Sequence, residues 1–91
     1  MRWDENKRQK NLLKHGLDFF DSDSVLDNPF RLDVHVIRNK EHRVQSFAYV
    51  WDYLAVLTVV HTDNGERIIS FRRASKEERE VYHEWLANEY E

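Results

Sequence analysis

Cysteine is absent from this sequence, which excludes a disulfide, a thiolate nucleophile and a Cys-ligated zinc, and fits a cytoplasmic protein. Glycine occurs twice and proline once, so turns should be short and disorder slight. The same scarcity removes whole classes of chemistry. There is no Walker loop, no Gly-x-Gly-x-x-Gly fingerprint for a nucleotide cofactor and no Gly-x-Ser-x-Gly elbow for a serine nucleophile. No apolar run approaches the ~20 residues that span a bilayer, so the chain reads as soluble, with no membrane partner. The opening MRWDENKRQKN lacks the apolar core of a signal peptide. Positive net charge is missing too: −3 argues against binding nucleic acid by bulk attraction.

What is present is a chain of 91 residues, 41% hydrophobic, enough for one small domain with a single modest core. Its charges are segregated. Residues 1–16 carry Arg2, Lys7, Arg8, Lys10 and Lys14 against Asp4 and Glu5. Residues 67–79 carry Arg67, Arg72, Arg73, Lys76 and Arg79 against Glu77 and Glu78. The acids gather in residues 18–33 and in the tail, 84–91. A nearly neutral protein with one basic face is therefore expected.

Asp4 suits the N-cap of a helix from Glu5 to about Lys14, with Gly16 as its left-handed stop. Lys7, Lys10 or Asn11, and Lys14 share one side of it as a positive ridge. Asp18 can cap a second, short helix with Phe19, Phe20, Val25 and Leu26 as its apolar face, ending before Asp27-Asn28-Pro29. From Arg31 the hydrophobic period changes to two, predicting a strand, a turn at Arg38–Glu41, and a second strand from Arg43 to Trp51. Phe47, Tyr49 and Trp51 should share one face of it. Leu54–Val60 is almost wholly apolar and reads as a central strand buried on both faces. Asn64-Gly65 signals a hairpin into a strand Arg67–Arg72. Ser75 with Glu78 is a capping box, starting a last helix at Lys76 with Val81, Tyr82, Trp85 and Leu86 as its apolar stripe. The fold class is α+β: two N-terminal helices, a four-stranded antiparallel meander packed on one face by helices, and a C-terminal helix.

His15, His35, His42, His61 and His83 lack metal-ligand spacing, so no metal and no cofactor is expected. What remains is a basic constellation of Lys14, His15, Arg67, Arg72 and Arg73 with Tyr82. These residue types suit RNA cleavage by the neighbouring 2′-hydroxyl, which needs a proton acceptor, a proton donor and cations around the phosphorane. Histidine moves protons near neutral pH and arginine grips phosphate through two N–H bonds. Each residue also has a plain structural explanation. His15 can finish a helix, Arg67 can pair across the hairpin, and Tyr82 can belong to the core. Residue types alone leave open a ribonuclease and a non-enzymatic protein- or nucleic-acid-binding module.

Two stretches narrow the choice. W-D-E-N-K-R-x-x-N-L-x-K-H-G-L-D-F (Trp3 to Phe19) and R-I-I-S-F-R-R-A-S-x-x-E-R-x-x-Y (Arg67 to Tyr82) together resemble the BrnT family, toxins of bacterial type II toxin–antitoxin pairs. The likeness covers essentially the whole chain, and implies one BrnT-like toxin domain over residues 1–91 with a RelE-like fold. It implies a metal-independent endoribonuclease that inhibits translation and growth in the cytoplasm. The expected partners are substrate RNA and a BrnA-type antitoxin that forms a hetero-oligomer with the toxin and alone contacts operator DNA. Matched residue by residue, the resemblance and the side-chain chemistry assign Arg67 and Arg72 to phosphate stabilisation, and His15 or Tyr82 to proton transfer. Lys7, Lys10, Lys14 and Arg73 are expected to bind RNA. One conflict is built in: ideal alternation sends Arg67 and Arg72 to opposite faces of their strand, unless a twist or bulge intervenes.

Overall fold

The computed structural model describes residues 1–89. Helix α1 (Glu5–His15) is capped as its sequence dictates. The Asp4 side chain accepts from the Asn6 N–H at 2.8 Å, and Gly16, at φ 71°, donates its N–H to the Leu12 carbonyl at 2.8 Å. The expected second helix is broken in two. Asp18 caps a single 3-10 turn, Phe19–Asp21, and α2 proper is only Asp23–Leu26. Splitting the segment separates its aromatics: Phe19 is buried, while Phe20 is 64% exposed, covered by the edge of Trp3 and by the Arg8 guanidinium. Phe20 is thus not the core residue expected.

Strands β1 (Leu32–Arg38), β2 (Glu41–Val50), β3 (Ala55–Thr62) and β4 (Ile68–Arg73) form an antiparallel meander in the order β1-β2-β3-β4. Asn39 and Lys40, both at positive φ, make the two-residue turn between β1 and β2. Thr62 to Gly65 closes the β3–β4 hairpin, with Gly65 at φ 72°. Strand β3 is central and buried on both faces, as its apolar run predicts.

Both faces are covered, and here the expected single helical layer is corrected. On one side Leu17, Phe19 and Val25 pack on Ala48, Leu57, Val59, Ile68 and Phe71. On the other, α3 (Lys76–Glu89) sets Tyr82 against Phe47, Val56 and Ala74, with Trp85 and Leu86 alongside. A central strand apolar on both faces leaves oily surface in water unless both are capped, so α3 must cross to the second side.

The open edge of β4 is closed by the N-terminal segment. Residue 2 bonds Glu66 and Ile68 through its backbone, each at 2.8 Å. Asn11, buried in α1, takes the place of a missing strand. Its amide donates to the Phe71 carbonyl (2.7 Å) and accepts from the Phe71 N–H (3.0 Å), and also donates to the Leu17 carbonyl (2.9 Å). These bonds fix α1 along β4, and with it the helix's lysines.

Candidate functional site

Cross-strand partners share a face, so the register decides what each arginine of β4 can reach. Val60 pairs with Ser70, but His61 pairs with Ile68, leaving Ile69 as an extra residue in a bulge. Beyond it the Thr62 N–H donates to the Arg67 carbonyl at 3.0 Å. The bulge reverses the alternation. Arg67, Ser70 and Arg72 lie on one face with Thr58, Val60 and Phe47, while Ile68, Phe71 and Arg73 lie on the other. The expected division of Arg67 from Arg72 is thereby overturned, and by the mechanism that could overturn it. Strand rise still sets them roughly 15 Å apart, too far to grip one phosphate together.

Lys7, Lys10 and Lys14 of α1 line a shallow groove with Asn11, His15, Ile69 and Ser70. One wall is the lysine ridge, and the other is the bulged part of β4. Arg72 does not line the groove, but it follows Ser70 on the same face of β4. Burial first, then the charges of Lys14 and Arg72, hold the His15 imidazole below its ordinary pKa of 6.5. A neutral imidazole beside two cations is a proton acceptor at neutral pH. Neighbouring the groove, Arg67 lines a second cavity with Arg2, Trp3, Asp4, Glu5 and Glu66. It bonds Glu41 at 3.4 Å, while its Nε–H is buried without an acceptor. Arg43 first, then Arg67 and Lys7, draw the Glu41 carboxyl below the usual range, outweighing burial.

Arg72 is the most constrained of these cations. Its Nη1 and Nη2 meet the two carboxylate oxygens of Glu78 at 2.6 and 3.0 Å. Glu78 Oε1 also accepts the Ser75 N–H (2.8 Å) and the Thr58 hydroxyl (3.3 Å). Burial works to raise the Glu78 pKa, but Arg72 and Ser75 prevail and hold it below 4.5. Sequence reasoning accounts for Glu78 by the capping box alone, and so misses the ion pair. It also reads Asn11 as part of the solvated ridge. Its polar contacts with β4 lie 60 positions away, beyond any local pattern.

Of the expected site residues, Arg67 and Arg72 do not line the groove itself, and Arg73 and Tyr82 lie further from it. Arg73 is exposed and sits opposite Leu57, on the face away from Arg72. Tyr82 is 0% exposed, with its ring in the second core. Its hydroxyl donates to the Phe30 carbonyl (2.7 Å) and accepts from the Tyr49 N–H (3.2 Å). A phenol buried and bonded in both senses ties α3 to the sheet, away from the groove. Among the described residues, no three His, Asp or Glu side chains gather in a way that could hold a metal ion. No helix among them is long and apolar enough to cross a membrane.

No curated protein matches the chain. A family model does, over residues 3–78, and its description is ribonuclease toxin, BrnT, of type II toxin-antitoxin system. The matched span holds the whole lysine ridge, His15, the bulged strand and Glu78, and stops short of Tyr82. The chain belongs to the BrnT family of ribonuclease toxins of type II toxin–antitoxin systems.

Proposed function

We propose that the protein is a metal-independent endoribonuclease that cleaves RNA along the groove between α1 and β4. The observation that carries this reading is the lysine ridge and His15 lining one groove, with His15 held below its ordinary pKa by burial and by the charges of Lys14 and Arg72. His15 accepts the proton of the 2′-hydroxyl as it attacks the adjacent phosphorus; the bond to the 5′-oxygen breaks, leaving a 2′,3′-cyclic phosphate and a 5′-hydroxyl that takes its proton from solvent water. Arg72 donates to the non-bridging oxygens, whose charge grows in the transition state. Lys7, Lys10, Lys14 and Arg67 hold flanking phosphates. Nucleophile, base and stabilising cations come from RNA and side chains, so the reaction needs no metal. Tyr82 and Arg73, both expected in the site, have no part in this scheme.

Such cleavage inhibits translation and growth in the cytoplasm. The family implies an antitoxin partner; on this reading it is a BrnA-type protein that forms a hetero-oligomer with the toxin and carries the contact to operator DNA. The four-stranded meander with flanking helices is compatible with a RelE-like fold. Purified protein freed of antitoxin should cleave RNA in EDTA. Intact RNA under those conditions, with and without ribosomes, overturns the reading.

One observation favours a second reading, a non-enzymatic protein-binding module. Phe30, Tyr49 and Trp51 (77% exposed) line an apolar groove with Asn28, Pro29, Tyr82, His83 and Leu86. Phe47, expected beside them, is buried. If Trp51→Glu abolished growth inhibition while the Arg67→Ala/Arg72→Ala double variant retained it, this second reading would replace the first.

A further inference from the structure

The capping box requires of Glu78 a single bond, to the Ser75 N–H. The carboxylate makes four: to the Thr58 hydroxyl of β3, to both Nη atoms of Arg72 on β4, and to the Ser75 N–H just before α3. Thr58 is fully buried and stands directly across from Arg72 in the sheet. A cap alone would be served by an exposed carboxylate. This one is only 13% exposed and clamps a guanidinium.

The way Glu78 binds matters. It takes the end of the arginine fork, Nη1 and Nη2. A guanidinium carries five N–H donors. Apart from these two, one Nη1 hydrogen leans on the Arg73 carbonyl at 3.4 Å. Nε–H and the second Nη2 hydrogen remain, and they form the side of the fork. Among the described residues no acceptor meets either of them. An end-on carboxylate therefore leaves a complete side-on pair of donors, the geometry that binds two oxygens of one phosphate. Without the clamp, a long flexible side chain would have to be ordered at each turnover.

We propose that Glu78 is a positioning residue that fixes Arg72 by the end of its guanidinium, so that the side of the fork meets the phosphate undergoing cleavage beside His15. This rests on the proposed ribonuclease reading. Glu78 does not itself take the proton: its lowered pKa makes it a poor base, and its lone pairs are engaged.

Glu78→Gln separates the two roles, because glutamine serves the capping box while losing the charge that grips Arg72. Ser75→Ala weakens the cap and leaves the ion pair intact. On a short RNA, Glu78→Gln should lower kcat roughly tenfold to a hundredfold with KM changed less than about threefold. Ser75→Ala should lower the melting temperature and leave kcat near that of the parent. In an Arg72→Ala background, adding Glu78→Gln should cost nothing more. On the free protein, the Arg72 Nη–H resonances should be resolved individually in the parent, where Glu78 holds both Nη atoms, and averaged by rotation in Glu78→Gln. The proposal is overturned by unchanged kcat in Glu78→Gln, by a further loss in the Arg72→Ala background, or by an Arg72 signal indifferent to Glu78. The last readout needs no cleavage, so an inactive parent protein would sink the ribonuclease reading while the tether is still decided.

Discussion

At the scale of single residues, the site turns on charge states that neighbours impose. His15 is held neutral by burial and by Lys14 and Arg72. Removing the last charge in Arg72→Ala should raise the His15 pKa towards its ordinary 6.5, read by NMR titration of the imidazole. An unchanged value would mean the two are not neighbours in solution. Because the base must be neutral, cleavage by the parent protein should hold as pH falls through 6.5 and decline only below that. A profile already falling above pH 7 would exclude His15 as the acceptor. Arg72→Ala should also abolish growth inhibition without unfolding the protein, since its side chain is half-buried and belongs to neither apolar core. Persistent toxicity would refute its role.

At the scale of elements, the edge of β4 is the joint on which the groove depends. Asn11 satisfies both backbone groups of Phe71, as a neighbouring strand would. Asn11→Ala leaves a buried N–H and C=O without partners, and should cost roughly 2–4 kcal/mol in urea unfolding. A loss under about 0.5 kcal/mol would show that α1 is held by other contacts. The β1–β2 turn makes the opposite test. Asn39 tolerates positive φ, whereas Lys40 at φ 63° is strained. Lys40→Gly should therefore stabilise the protein by up to about 1 kcal/mol in urea unfolding, and a loss of stability would refute the strain.

At the scale of the molecule, acid sensitivity follows from carboxylates whose pKa values folding lowers. Glu78 and Asp33 are both depressed, burial opposing the shift and Arg72 or Arg31 prevailing. The unfolded chain then binds protons more readily, so stability is fully present above the unfolded pKa values, near 4, and is lost as pH falls through the folded ones. Denaturant midpoints should drop from pH 5 to pH 3, and Glu78→Gln should show a shallower drop. An equal slope would mean Glu78 is not paired when folded. The separation of charge reconciles a net −3 with a basic groove. Cations line α1 and β4, while Asp21, Asp23 and Asp52 line a separate cavity with Phe20 and Tyr53.

Features that depend on a few neighbouring residues were legible in the sequence. The caps at Asp4 and Ser75, the stop at Gly16, the two-faced burial of β3 and the meander order all follow from local sterics and hydrophobic period. The basic types that suit RNA were legible as well, and the motif around Lys14-His15-Gly16 carried the family. What only the tertiary structure decided is which of them meet. The bulge at Ile69 arises from pairing with β3, and it alone brings Arg67 and Arg72 to one face. Tyr82 lies away from the groove because α3 packs on the second side of the sheet, where the phenol bonds Phe30 and Tyr49. Asn11 and Glu78 looked like a surface residue and a cap until the fold brought β4 against them. Local rules fix a residue's backbone, but its partners across the chain are set by register and packing, which no short stretch contains.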